Sequence, residues 1–553
     1  MKLVWLAVNA SHAHSSLALP LLQSASAAVP EVSWQAVATT SHDDPASLTA
    51  AVWSAQPDVV AATLYLFNRR LVLEVLARLR ALLPTCTLIV GGPECLGDNR
   101  ELLRQNPGLD LAVRGEGEAV LPELLRRLLQ GDSPAGLAGV CWRDAAGALH
   151  DDGSRAVFTA WPEAPPPCAN PFYDTTKPFV QVETSRGCTA QCSYCTSGGS
   201  APLRLRPLAA IREELAELRR RGLVEIRLLD RTFNAFDRRA CQLLELFLSE
   251  FPDLRFHLEI DPGKLGAGLR RLLQAAPPGT LHLEAGLQTT AAAARAAVGR
   301  AGTAAAAVEG IRFLCGCAGV VTHVDLLAGL PAQTLPDLEH DLALLLEIGP
   351  AEIQLETLKI LPGTPLRDQA EAHGLRWSPE PPYDVLSTPD LDVPTVRRVA
   401  GWSRLLDGFH NAPDLQPILR RAAALQAGFL PEFALTCQAA GLLTVPSSLE
   451  RRFRHLHATL AVGNNEIADL VRLGWMQAGM SPADPLAGAR PWKTALPADG
   501  EWLHGRAELA TPGRAWHLPL SSADYWFIYD RRHSPQRPVA CRRCLRTPAA
   551  SRE

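Results

Sequence analysis

Along roughly the first 130 residues, short apolar runs alternate with longer stretches of helical periodicity. The runs LVWLAV (3–8), DVVAATL (58–64) and CTLIVGG (86–92) are separated by helix-length segments such as Arg70 to Leu83. Such alternation predicts a parallel sheet with crossover helices, because strands buried on both faces read as continuous apolar runs. Ligands in such sheets sit beyond the carboxyl ends of the strands, where Asn9-Ala10-Ser11-His12, Thr63 and Gly91-Gly92-Pro93-Glu94 fall. A proline-rich stretch that includes Ala164-Pro165-Pro166-Pro167 then interrupts the periodicity and reads as a linker.

A second alternating series follows. Its strands are expected at Phe179–Glu183, Val224–Asp230, Leu254–Ile260, Thr280–Leu287, Val321–Leu327 and Glu352–Leu358, with helical patterns such as Leu208–Arg221, Ala240–Glu250 and Leu335–Ile348 between them. Six β/α units make a partial barrel, short of the eight of a closed one, with its site at the strands' carboxyl ends. Beyond about residue 376 the pattern turns helical (Thr395–Leu406, Leu415–Ala427) and ends in a short β-rich stretch, Trp516–Tyr529. The expected organisation is therefore α/β: a Rossmann-like domain over 1–150, a linker over 151–176, a partial (β/α)6 barrel over 177–375 and a mainly helical region over 376–553.

Composition narrows the partners. The 54 basic and 58 acidic side chains leave a formal charge of -4, which gives no global case for nucleic acid or an anionic membrane. Thirteen cysteines in so long a chain do not form a secreted disulfide framework, so a reducing cytoplasm is expected. The opening apolar run stops at Asn9 and reads as a buried strand, not a signal peptide. No apolar stretch reaches the length of a membrane span.

The chemistry concentrates just after the first barrel strand, in Thr184-Ser185-Arg186-Gly187-Cys188-Thr189-Ala190-Gln191-Cys192-Ser193-Tyr194-Cys195. Three thiolates at CxxxCxxC spacing on one loop can ligate three irons of a cubane and leave the fourth open. A zinc site would want a fourth Cys or His nearby, and none occurs between Cys195 and Cys241. These residues resemble the radical S-adenosylmethionine (SAM) superfamily over about residues 177 to 370. The resemblance implies a [4Fe-4S] cluster on Cys188, Cys192 and Cys195, SAM chelated to the open iron, and a low-potential electron donor such as flavodoxin or ferredoxin. In that superfamily the ends of later strands bind SAM. Here these are Leu229-Asp230-Arg231-Thr232-Phe233-Asn234, His257-Leu258-Glu259, Glu284-Ala285-Gly286-Leu287-Gln288-Thr289 and Leu327-Ala328-Gly329-Leu330-Pro331. The resemblance assigns Tyr194, Asp230, Glu284, Gln288 and Gly329 to SAM. The usual Gly-Gly-Glu of the second strand is replaced by Asp230-Arg231-Thr232.

The amino-terminal region resembles the cobalamin-binding domain fused ahead of many radical SAM cores. The match rests on Gly91-Gly92-Pro93-Glu94 and on Asp110 through Glu118, which contains Arg114-Gly115-Glu116-Gly117-Glu118. It implies that Gly91 and Gly92 pack against the corrin or its nucleotide tail, that Thr63 contacts the nucleotide, and that His12 can reach cobalt, with a helix-capping or hydrogen-bonding role for His12 and His14 as the alternative. The Asp and Gly that accompany a histidine ligand in that family are missing around His12.

Near the carboxyl terminus Cys541 and Cys544 stand at CxxC spacing within Pro538 to Arg546, a pair that suits a metal, a thiophilic substrate, part of a second cluster, or a flexible tail. The leading expectation is a cobalamin-dependent radical SAM methyltransferase acting on an unactivated carbon or phosphorus centre of a small molecule or peptide. Transfer of SAM's 3-amino-3-carboxypropyl group to a soft acceptor, and a sensor without turnover, are the alternatives.

Overall fold

The computed structural model describes residues 1–162, 165–198, 202–494, 496–497, 500–504, 515–529 and 537–545. Ala164 of the proline run and Arg546 beside the terminal cysteines lie outside these residues. The chain divides into two compact units, one of Met1–Asp337 with Glu356–Val396 and one of Leu338–Leu355 with Arg397–Glu553.

The first unit opens with a seven-stranded sheet built from β1 (Lys2–Asn9), β2 (Ser33–Thr40), β3 (Val59–Thr63), β4 (Thr87–Gly91), β5 (Leu111–Val113), β6 (Val140–Arg143) and β7 (Leu149–His150), in the order β2-β1-β3-β4-β5-β6-β7. The pairs β1–β2, β1–β3, β3–β4 and β4–β5 are parallel, whereas β5–β6 and β6–β7 are antiparallel. The apolar runs of β1, β3 and β4 fill the centre and bury both faces, giving two aliphatic layers around Val4, Val60 and Leu88 on one side and Leu3, Ile89 and Leu111 on the other. Strand order reverses between β1 and β3, so the crevice for a ligand opens at the carboxyl ends of these two strands. The expected linker is not loose at its start. Ala156 forms a bridge with Gly115, and the Phe158 amide donates to Glu116 Oε2 at 2.8 Å.

The barrel strands are β8 (Phe179–Val182), β11 (Glu225–Leu228), β12 (Arg255–Ile260), β13 (Leu281–Gln288), β14 (Val320–Ala328) and β15 (Glu352–Thr357), in sequence order across the sheet. A two-stranded hairpin, β9 (Ser185–Arg186) with β10 (Arg204–Leu205), frames the cysteine loop. The pleat sorts side chains by face. In β13 Leu281, Leu283, Ala285 and Leu287 are buried, while His282, Glu284, Gly286 and Gln288 alternate with them on the other face. His257 and His282 stack at 4.4 Å between ring centroids, and His323 meets His282 edge-on at 5.9 Å, so a polar layer lies beneath the strand ends.

The second unit contains the helices Gln416–Leu425, Phe429–Ala439, Leu449–Leu460 and Asn465–Gln477, and ends in a five-stranded antiparallel sheet. Cys541 and Cys544 lie in one of its strands, Ala540–Leu545, and not in a flexible tail. Residues three apart on a strand point to opposite faces; Cys541 is fully buried and Cys544 is half-exposed. This placement removes the reading of the pair as one chelating site.

No helix among the described residues is long and apolar enough to cross a membrane.

Candidate active site

The cysteine loop is held at both ends. Asp230, at the end of β11, accepts from the Thr184 amide (2.7 Å), the Thr184 hydroxyl (2.5 Å) and the Ser185 hydroxyl (2.5 Å), which fixes the turn leading out of β8. Gly187 at φ 97° makes the left-handed step into the loop. Further on, the Ser193 amide donates to Val298 O and the Leu366 amide to Ser193 O, each at 2.9 Å.

Each sulfur has a donor. Cys188 Sγ accepts from the Ala190 amide at 3.4 Å, Cys195 Sγ from the Ser197 amide at 3.4 Å, and Cys192 Sγ from Arg300 Nη1 at 3.6 Å. Burial pushes the Cys195 thiol up, a cost that ligation to iron removes. All three cysteines line one cavity of about 210 Å³. Among the described residues lining it there is no further cysteine and no histidine, which fits a cluster with one iron left open.

The same cavity is lined by Tyr194, Arg231, Glu259, Glu284, Gln288, Arg300 and Asp325. Gln288 sits at a register shift in β13 with φ 67°, and such a bulge re-aims a side chain at a strand end. Glu284 Oε2 lies 3.1 Å from His257 Nε2, and this bond holds its carboxyl below the usual range against the opposing effect of burial. Burial raises Asp325 and the neighbouring Glu284 charge adds to the shift, while His323 at 3.2 Å opposes it. Burial pushes Glu259 up to about 7, with Arg231 at 3.8 Å opposing.

Two residues expected at the SAM site are placed elsewhere. Asp230 is 2% exposed, absent from the lining, and spent on the turn after β8. Gly329, at φ 91°, belongs to a turn whose amides at Gly329 and Leu330 donate to Gln333 Oε1. Arg300, which follows an alanine-rich helix, had no motif to mark it. Glu259 and Arg231 stood in the strand-end segments without an individual role.

A second cavity, of about 550 Å³, opens at the β1/β3 reversal. Its walls include Asn9, His14, Thr63, Tyr65, Gly91 and Gly92 from the first sheet, and Gln181, Glu183, Arg186, Leu229 and Arg231 from the barrel. Gly92 adopts φ 97°, and a Cβ there would lie 2.5 Å from Thr63 Cγ2 and 2.9 Å from Leu64 O, so this floor stays free of side chain. A glycine-floored, largely apolar cavity fits a flat macrocycle with its nucleotide tail. His12 is exposed and absent from the lining. The imidazole facing the cavity is His14, whose Nδ1 is 2.8 Å from Ser11 Oγ. Arg231 lines both cavities.

The Radical SAM superfamily model matches residues 182–345, and the B12 binding domain model matches residues 21–125. Residues 182–345 thus carry a radical SAM domain and residues 21–125 a B12-binding domain. The chain is 30% identical over 164 residues to an uncharacterised methyltransferase, PH0819, of Pyrococcus horikoshii, covering 28% of this chain and 36% of that one. It is 23% identical over 377 residues to the cobalamin-dependent radical SAM methyltransferase TokK of Streptomyces tokunonensis, covering 62% and 53%. The matches thus span about half or less of these relatives' own lengths. Among solved structures, the radical SAM methyltransferase TsrM of Kitasatospora setae, with tryptophan substrate and a SAM analogue bound, superposes with a TM-score of 0.56 at 18% identity, over 71% of this chain and 80% of that one. That likeness is one of fold.

Proposed function

We propose that the protein is a cobalamin-dependent radical SAM methyltransferase acting on an unactivated carbon or phosphorus centre of a small molecule or peptide. The observation that carries this reading is the meeting of two cavities at Arg231, one walled by three cysteines and the other floored by Gly91 and Gly92.

In this reading Cys188, Cys192 and Cys195 hold the cluster. The Glu259 carboxylate takes the SAM amine that the missing Gly-Gly-Glu would otherwise take, and Glu284 and Gln288 take hydroxyl groups of the ribose. Tyr194 packs on the aliphatic cluster that includes Ala294, Val298 and Leu358, which fixes its ring at the cavity wall. Thr63, Gly91 and Gly92 form the bed for cobalamin. Bound there, the cluster supplies the electron that breaks a C–S bond of SAM, and cobalamin supplies a methyl carrier. The protein contributes orientation and exclusion of water. An acceptor belongs where the cavities meet, within reach of both cofactors.

The test is anaerobic reconstitution with iron, sulfide and hydroxocobalamin, followed by SAM and a strong reductant. Retention of four irons and one corrin per chain, with release of 5′-deoxyadenosine, is expected; with the acceptor present, S-adenosylhomocysteine accumulates as well. Methylthioadenosine as the nucleoside product would replace methyl transfer with aminocarboxypropyl transfer. A loaded protein that leaves SAM intact would be a sensor.

A further inference from the structure

The three cysteines of the loop are not equivalent. Cys188 and Cys195 accept backbone amides, which carry no net charge. Cys192, 4% exposed, accepts from the guanidinium of Arg300. Among the described residues no other Lys or Arg side chain bonds to one of these sulfurs.

Arg300 is held in this position from several sides. Its other terminal nitrogen donates to Gly286 O at the β13 bulge. The preceding residue, Gly299, has φ 64° and comes so close to the cysteine loop that a Cβ would lie 3.2 Å from Gln191 O. Arg295, itself buried, ties the segment together by donating to Thr289 O (3.2 Å), Ala301 O (3.2 Å) and Gly302 O (3.3 Å). Such a frame is more than a solvated surface arginine requires. It presents a permanent cation to one thiolate in a site sheltered from water.

We propose that Arg300 sets the reduction potential of the cluster by raising it through Cys192. The inference rests on the cluster reading above. One-electron reduction by a low-potential one-electron donor adds one negative charge to the cluster and its thiolates, with no bond broken and no proton required. A cation in contact with one of the sulfurs stabilises that added charge, and low local dielectric enlarges the effect. Hydrogen bonds to ligand sulfurs and net charge are among the known determinants of such potentials. Arg300 is thus a positioning and tuning residue that acts on the cluster through Cys192.

The experiment compares wild type, Arg300→Gln and Arg300→Lys, each reconstituted anaerobically and titrated with dithionite in the absence of SAM, with the reduced cluster followed by electron paramagnetic resonance. Iron content is expected to match wild type, with the Arg300→Gln midpoint at lower potential and Arg300→Lys between the two. Should Arg300→Gln lose its iron, wild type against Arg300→Lys decides, because the shorter ammonium should still give a lower midpoint than the guanidinium. Equal midpoints overturn the proposal; if SAM binding weakens at the same time, Arg300 is a SAM ligand alone. A wild-type chain that takes up no four-iron cluster sinks the cluster reading itself, a different result from equal midpoints.

Discussion

At the scale of single residues, the cysteine triad and Glu259 make separable predictions. Replacing Cys188, Cys192 or Cys195 by alanine should abolish reductive SAM cleavage and lower bound iron, because two thiolates on this loop leave the cubane short of a ligand; iron analysis and 5′-deoxyadenosine assay check this. Glu259 predicts a pH effect. Its folded value lies near 7, well above an ordinary carboxyl, so it is ionised above that pH and neutral below it. Since only the ionised form attracts an ammonium, SAM affinity should fall several-fold as pH drops from about 8 to about 6. Equilibrium binding should show this slope, and Glu259→Gln should weaken SAM and flatten it. The convergence of the three cysteines on one cavity was legible because their spacing keeps them on one loop. Arg300 was not, since an arginine after an alanine-rich helix carries no local signal; only the left-handed Gly299 and the close approach to Gln191 bring it to the sulfur.

At the scale of elements, the sheet strands were readable where both faces are buried. The central β1, β3 and β4 are continuous apolar runs, and β13 alternates strictly. By contrast β2, with most of its residues partly or fully exposed, shows no such run. The β9–β10 hairpin is two residues on each side and too short for any periodicity. Asp230 was misassigned for a related reason: a strand-end carboxylate looks the same in sequence whether it faces a ligand or caps a neighbouring turn, and only its bonds to Thr184 and Ser185 decide. The β4 end makes its own prediction. Gly92→Ala forces a Cβ against Thr63 and Leu64 O in a left-handed backbone, which should cost about 1–3 kcal/mol. A lowered thermal midpoint with weakened corrin retention is the expected result.

At the scale of the whole molecule, the first sheet and most of the barrel share one compact unit. The run Arg114-Gly115-Glu116-Gly117-Glu118 joins them. Glu118 Oε1 accepts from Arg186 Nη1 at 3.0 Å and Glu116 Oε2 from Arg204 Nη1 at 2.6 Å, so two acids of the first sheet grip both strands of the hairpin that carries the cluster loop. Arg186 also bonds Glu183 at 2.6 Å. Removing the central cation in Arg186→Met leaves Glu118 and Glu183 facing each other in a part-buried site, a change worth about 3–5 kcal/mol where an ion pair is broken on one side. Thermal unfolding should shift down, and iron uptake should fall even though no cysteine is altered.

This grip also has a bearing on how the chain is made. Glu116 and Glu118 leave the ribosome 88 and 68 residues ahead of the arginines that neutralise them. With synthesis proceeding at about 5–20 residues per second, several seconds separate these two acids from the arrival of their cations. The hairpin's arrival then supplies the guanidiniums that Glu118 and Glu116 bond in the folded chain, so these contacts between the two halves form only after both have been made.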